Sequence, residues 1–224
     1  VLKITEFGKD VVVRVLVASA IIIALSLLSG SVVFITIIAS VFFLMSVFTL
    51  FFFRDPERTL PANFNSNYIL SPADGKVIII NNFKNSNYDF FESEEKLTIV
   101  SIFMSPLNVH VNRIPFTGTI KYVKYIKGKF SMAFGEKSSE DNERTEIGIH
   151  NDNGKKVLFK QIAGFIARRI VCKLFEDDKV FAGSRFGMIK FGSRLDIIFS
   201  SNAEIKIKQN QKVKAGESVI AVLN

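Results

Sequence analysis

A chain of 224 residues has room for one domain of ordinary size plus an appendage, or two small domains. One cysteine excludes an intrachain disulfide, and with two histidines no zinc site of the usual His/Cys composition is expected. The formal charge is +8, and residues 1–60 hold five Lys/Arg against four Asp/Glu, so +7 falls on the remainder.

The appendage comes first. Val11 to Leu28 is apolar except for Arg14, Ser19 and Ser26; Gly30-Ser31 interrupts, and Val32 to Phe53 follows as 22 residues without a charge. A helix over the second run is roughly 33 Å long, enough for a hydrocarbon core, whereas the uncharged part of the first, Val15 to Leu28, gives about 21 Å. That shorter run spans if Arg14 snorkels or the bilayer thins; a re-entrant or shallow hairpin is the alternative. The second run is too long and too far along for a signal-peptide core, so residues 1–53 are expected to be a permanent anchor. A hairpin returns its ends to one side. Lys3, Lys9 and Arg14 before it, with Arg54 and Arg58 after it, make that side the cytoplasm by positive-inside counting. Beside such an anchor, the basic surface reads as attraction to anionic membrane lipid rather than to nucleic acid. Many lysines are also scattered, as on any solvated face.

Beyond Arg54 the pattern is of short strands. Tyr68–Leu70 and Lys76–Ile80 flank Ser71-Pro72-Ala73-Asp74-Gly75, a turn by composition. Asn81 to Asn87 reads as polar loop. Leu97 to Met104 reads as a strand broken by Ser105-Pro106-Leu107-Asn108, and Thr119 to Lys127 as a strand with Ile120, Tyr122 and Val123 inward. Gly135 to Glu143 is a polar loop. Thr145–His150 and Lys156–Ile162 flank the Asn151–Gly154 turn as a hairpin. Gln161 to Phe175 fits a helix through Ile162, Phe165, Ile166 and Ile170, and fits strand with a bend at Gly164. Leu195–Phe199, Ala203–Lys208 and Ser218–Leu223 complete the series, and Cys172 is expected to be a buried, inert thiol. Short strands with glycine turns and no βαβ rhythm predict a mainly β fold: a compact antiparallel barrel- or sandwich-like domain over residues 54–224.

Six stretches then occur in order: Phe53-Arg54-Asp55-Pro56-Glu57-Arg58; Ser71 to Val77; Ser105 to Pro115, containing His110-Val111-Asn112-Arg113; Asn142-Glu143-Arg144; Gln161-Ile162-Ala163-Gly164 with Ala167-Arg168-Arg169-Ile170; and Arg185 to Asp196, containing Phe191-Gly192-Ser193-Arg194. A Gly-Ser pair alone reads as a turn before a strand. As an ordered set downstream of an apolar anchor, these stretches resemble the short bacterial and archaeal form of the phosphatidylserine decarboxylase proenzyme.

The resemblance implies a catalytic domain that cuts itself at Gly192-Ser193, giving a large chain 1–192 and a small chain 193–224 that remain together as a heterodimer, with higher oligomers open. Ser193 Oγ attacks the Gly192 carbonyl, where glycine leaves the carbonyl uncrowded, and the amide becomes an ester. Elimination and loss of ammonia leave a pyruvoyl group on the small chain. That covalent cofactor, with no metal, forms a Schiff base with the amine of phosphatidylserine and serves as the electron sink for loss of carbon dioxide. The product is phosphatidylethanolamine.

The family's Asp-His-Ser arrangement falls on Asp74, His110 and Ser193. The imidazole titrates in the right range, and a carboxylate can hold its tautomer. Read without the family, Asp74 is an Asx-turn residue and His110 a structural histidine. The longer bacterial form has a second histidine where this chain has Arg113, so one histidine serving both cleavage and decarboxylation stays open. His150, beside a turn, reads as a solvent-facing strand end. Arg113, Arg168, Arg169 and Arg194 are the candidates for the phosphoserine headgroup, because a guanidinium pairs two hydrogen bonds with phosphate or carboxylate. Phe165 and Ile166 offer apolar contact near acyl chains or ordinary core packing. Asn142-Glu143-Arg144 reads either as a segment ordering the site or as a surface salt bridge. Two rival readings stand beside it: a membrane-tethered serine hydrolase, which would use Ser193, His110 and Asp74 in an intact chain, and a non-enzymatic anchored β-domain, suggested by the resemblance of Lys212 to Glu217 to the closing turn of lipoyl-like barrels. Neither requires scission at Gly192-Ser193, so the mass of the mature chain separates them from the decarboxylase.

Overall fold

The computed structural model describes residues 3–128, 142–164, 169–190 and 193–224. The chain forms two compact units, Val1–Pro56 and Glu57–Asn224.

In the first unit, α1 (Lys9–Ser26) runs through a 3-10 turn, Leu27–Ser29, to α2 (Val32–Phe52). Gly30 makes the reversal with a left-handed φ of 64°, and Ser31 caps α2 by accepting the Phe34 amide at 3.4 Å. The first helix starts at Lys9, ahead of the uncharged run, and Arg14 is paired with Asp10 one turn back. Both helices are long and apolar enough to cross a membrane. Most of their large side chains are exposed, as lipid-facing residues would be. The ends of the hairpin are zipped together: the Thr5 amide donates to the Phe53 carbonyl at 2.9 Å, and the Asp55 amide to that of Lys3 at 2.7 Å. A Cβ on Gly8 would lie 1.9 Å from the Phe53 ring, so the close approach requires glycine there. Both ends therefore lie on one side.

The second unit contains, among the described residues, β1 (Tyr68–Leu70), β2 (Gly75–Lys84), β3 (Lys96–Met104), β4 (Val111–Arg113), β5 (Gly118–Ile126), β6 (Arg144–His150), β7 (Lys156–Ala163), β8 (Arg169–Cys172), β9 (Lys179–Val180), β10 (Arg185–Lys190), β11 (Ser193–Ser200), β12 (Glu204–Ile205), β13 (Lys212–Val213) and β14 (Val219–Val222). A curled antiparallel half-barrel has the order β13-β2-β3-β11-β7-β6-β5-β9, accompanied by three-stranded sheets β4-β10-β8 and β1-β14-β12. The main core packs Val100, Ile102, Ile147, Phe159, Leu195, Ile197 and Phe199 on one face of the large sheet. A smaller cluster of Phe91, Leu97, Leu158 and Ile198 covers the other.

The expected antiparallel β architecture and helical pair are present, with local differences. β2 continues to Lys84, through the segment read as loop, because Asn81, Asn82 and Phe83 stay paired with β3. Only Glu204–Ile205 of the segment Ala203–Lys208 pairs as strand. In β5 the inward positions break step after Ile120: a register shift between Ile120 and Tyr122 leaves Tyr122 and Val123 half-buried. The ambiguous stretch after Gln161 contains β7 and β8; residues 165–168, with Phe165, Ile166 and Arg168, lie outside the described residues, as do 135–141 of the expected loop. Cys172 is half-buried as a residue, and burial of its thiol pushes the pKa up.

Candidate active site

Ser193 opens β11, the strand between β3 and β7, directly opposite Met104 on one side and Ala163 on the other. It is wholly buried. Gly192 lies outside the described residues. Strand alternation puts Ser193 on the face of Leu195, Met104, Ile102, Ala163 and Gln161, the face of the main core. Asn142 donates to the Ala163 carbonyl at 2.8 Å and the Ala163 amide donates to the Glu143 carbonyl at 2.9 Å. The buried start of the Asn142-Glu143-Arg144 segment thus fixes the residue opposite the serine. Arg144 pairs with Glu146.

Three neighbours set the polarity around Ser193. Its hydroxyl donates to Met104 Sδ at 3.3 Å, a weak acceptor that leaves the proton easy to surrender. Asn112 Nδ2 points to the same sulfur at 3.8 Å, and Gln161 Nε2 donates to Asn112 Oδ1 at 2.9 Å and to the Val171 carbonyl at 3.3 Å. A carbonyl only accepts, so the Val171 contact assigns the Gln161 nitrogen and, through it, the orientation of Asn112. Gln161 Oε1 is left buried with no donor among the described residues, a condition that costs roughly 1–3 kcal/mol.

His110 is wholly buried immediately before β4, with Nδ1 2.9 Å from the Asn108 carbonyl. That carbonyl holds the proton on Nδ1 and, in the neutral ring, leaves the lone pair on Nε2. The turn behind it is rigid, since Asn108 Oδ1 accepts from both the amide and the hydroxyl of Ser105 at 2.9 Å. Asp74 makes long-range contacts: Oδ1 accepts the Ala215 amide at 2.8 Å and Oδ2 lies 2.7 Å from Arg58 Nη2. The Arg113 amide donates to the Pro72 carbonyl at 2.9 Å, stitching the Asp74 turn to the strand that follows His110. A Cβ on Gly75 would meet the Phe103 carbonyl at 2.3 Å, so the same turn is pressed against the end of β3 that faces Ser193. Three distant stretches of sequence converge here.

The arginines separate. Arg194 is on the opposite face from Ser193, wholly buried, with Nε 2.6 Å from Asp196 Oδ1 and Nη2 2.7 Å from Ser101 Oγ. Its guanidinium is committed to the sheet. Arg113 donates to the Gly183 carbonyl at 2.8 Å and lines a cleft of about 280 Å³ with Glu57, Arg58, Leu60 and Arg185. Arg169 is exposed at the start of β8, and Arg168 lies outside the described residues. His150 is half-buried at the end of β6. Among the described residues, no group of three or more His, Cys, Asp and Glu side chains is placed to hold a metal ion.

The phosphatidylserine decarboxylase family model matches residues 45–221. The phosphatidylserine decarboxylase proenzyme of Prosthecochloris aestuarii is 53% identical over 180 residues, covering 80% of this chain and 79% of its own length. That of Chlorobium phaeobacteroides strain BS1 is 46% identical over 221 residues, covering 97% and 98%. The Wolbachia pipientis wMel proenzyme is 49% identical over 177 residues, covering 78% and 75%.

The chain belongs to the phosphatidylserine decarboxylase family.

Members of a pyruvoyl-dependent family need a serine that can become the cofactor, and polar groups about it. Ser193 carries its hydroxyl, and the buried face around it holds the orphaned Gln161 Oε1 and the Asn112 amide, so these residues fit such a group. Sequence reasoning passed over Met104, Asn112, Gln161 and Arg58 as site residues, although three of the four stand within the family stretches. The available signal was polarity at Gln161, which interrupts the otherwise apolar face of Val157, Phe159 and Ala163 in β7.

Proposed function

We propose that this chain is a proenzyme that cuts itself at Gly192-Ser193 and then decarboxylates phosphatidylserine to phosphatidylethanolamine. The observation that carries the reading is a wholly buried serine hydroxyl at the start of the central strand, whose hydrogen bond among the described residues goes to a thioether.

In the first step Ser193 Oγ attacks the Gly192 carbonyl carbon, and His110 Nε2 receives the hydroxyl proton and returns it to the departing Ser193 nitrogen. The C–N bond breaks and an ester forms. Loss of the Ser193 α-proton expels the Gly192 carboxylate and leaves dehydroalanine, whose tautomer takes up water and releases ammonia. Asp74 steadies the turn against β4 so that His110 keeps its place. The pyruvoyl group, when present, supplies an electrophilic carbonyl for the substrate amine and takes up the electrons released with carbon dioxide. His110 then serves as the proton donor or acceptor that the second reaction also needs. Arg113, in the cleft with Arg58 and Arg185, meets the headgroup phosphate, and Arg169 lies beyond it at the surface; Arg194 is held away by Asp196. Residues 1–53 anchor the enzyme with residues 54–224 on the cytoplasmic side, where anionic lipid attracts the basic surface. The large and small chains stay together as a heterodimer.

Intact mass spectrometry tests this, with and without phenylhydrazine as a carbonyl trap. We expect a 192-residue chain and a 32-residue chain, the latter alone gaining the trap. A single 224-residue mass in active protein would overturn the proposal.

A further inference from the structure

The proposed reaction leaves one demand unmet: something must position the amine and the carboxylate of the substrate's serine head against residue 193. The arginines are poor candidates for the carboxylate. A cation beside it stabilises the charged ground state, and that stabilisation is lost as the carboxylate leaves as neutral carbon dioxide. A neutral donor holds the same group with a smaller penalty.

The face that carries Ser193 holds such a donor and a matching acceptor. Gln161 pairs with Leu195 across β7 and β11, which makes it a diagonal neighbour of Ser193 on one face, within reach of a long side chain. Its Nε2 is fixed by Asn112 and Val171, so Oε1 is an immobilised, wholly buried acceptor with no donor among the described residues. Asn112, wholly buried as well, has its Nδ2 directed to Met104 Sδ at 3.8 Å, the sulfur that also receives the Ser193 hydroxyl at 3.3 Å. A thioether is a weak acceptor, so an anionic oxygen displaces it readily. The pair is therefore one acceptor without a donor among the described residues and one weakly used donor, joined by a hydrogen bond beside the face that carries Ser193.

We propose that the Asn112–Gln161 amide pair is the recognition site for the serine head: Gln161 Oε1 accepts from the substrate amine, and Asn112 Nδ2 donates to its carboxylate. This rests on the decarboxylase reading. Both are substrate-positioning residues.

The experiment uses processed full-length protein in detergent with two short-chain lipids, phosphatidylserine and phosphatidylethanolamine, the second having the amine without the carboxylate. Cyanoborohydride fixes the lipid amine onto the small chain, and the mass of that chain reports capture independently of decarboxylation. Gln161→Met should process normally, bind the phenylhydrazine trap, and capture both lipids at least tenfold more slowly. Asn112→Leu, with Gln161 Nε2 still held by the Val171 carbonyl, should slow capture of phosphatidylserine at least tenfold more than capture of phosphatidylethanolamine. Parent-like capture of both lipids by both variants overturns the proposal, as does a lowered melting temperature with unchanged capture, which assigns the pair to structure alone. If a variant fails to process, binding of short-chain phosphatidylserine to the Ser193→Ala chain carrying the same substitution replaces capture; unchanged affinity there overturns the proposal. Failure of the parent chain to yield a trap-reactive small chain would instead sink the decarboxylase reading.

Discussion

Arg58 Nη2 lies 2.7 Å from Asp74 Oδ2, with only 10% and 13% of the two side chains exposed. Its Nη1 reaches Glu217 Oε1 at 3.3 Å, so one guanidinium ties the Asp74 turn to the last turn of the chain. Arg58→Ala removes this cation from a largely buried carboxylate and should destabilise the fold by about 3 kcal/mol. Arg58→Lys keeps the charge without the fork and should recover only part. Urea unfolding of both variants in a Ser193→Ala background, where every sample is a single chain, measures this. Equal midpoints for Ala and parent would show that the pair holds nothing.

Ser193→Ala itself should remain one 224-residue chain without decarboxylase activity. Because the lost hydroxyl's bond among the described residues is to a sulfur, stability should change by less than about 1 kcal/mol. Denaturant titration and a gel suffice. Release of the small fragment from this variant would remove Ser193 from the chemistry.

Substituting His110 or Asp74 by Ala should slow processing. Loss of a general base typically costs 10² to 10⁴-fold, and the larger effect is expected for His110. Pulse-chase of freshly translated protein gives the rate. Normal processing in both would assign them to other work, and decarboxylation by any processed His110→Ala protein would decide its second role.

Tyr122 provides a pH prediction away from the site. Burial, with the Glu146 carboxylate beside it, pushes its hydroxyl up to about 12 from an ordinary 10.0. A raised folded pKa means this contribution is fully present below pH 10 and is lost as pH rises towards 12. Tyr122→Phe should therefore lose stability less steeply between pH 10 and 12 than the parent, read from denaturant midpoints. Identical slopes would contradict the assignment.

Removal of residues 1–53 should reduce vesicle flotation, and lower turnover on vesicles more than on short-chain soluble phosphatidylserine. Added salt should weaken the residual attraction, since exposed charges are screened over roughly 8 Å at physiological ionic strength. Flotation and turnover unchanged by the truncation would mean that the apolar segment does not present the enzyme to its lipid.

The strands that pattern alone locates best are the buried central ones: Leu97–Met104 and Leu195–Phe199 fall within β3 and β11, because short runs rich in β-branched and apolar residues admit little else. Short or half-exposed pieces are less legible. β4 is three residues between a turn and a proline, and it is a strand only because β10 pairs with it. For the site, local sequence pointed to the serine, histidine and aspartate through ordered motifs. It carried no sign that Arg194, one residue from Ser193, faces the other way into Asp196, although period-two alternation dictates this once residue 193 is placed in a strand. Nor does spacing show that Arg58 reaches Asp74, or that Gln161 reaches Asn112. Those contacts are set by tertiary packing.

β11 pairs along its whole length with β3 and from Ser193 to Phe199 with β7, while β13 closes onto β2 and β14 onto β1. A segment 193–224 freed by the proposed cut would be stitched into the interior of two sheets rather than laid on a surface. Its escape would require tearing β11 from both β3 and β7, which amounts to unfolding the domain. Maturation would thus be a one-way ratchet: after denaturation the two pieces must find each other as separate molecules, so recovery of the mature enzyme should depend on protein concentration, whereas refolding of the uncut precursor should not.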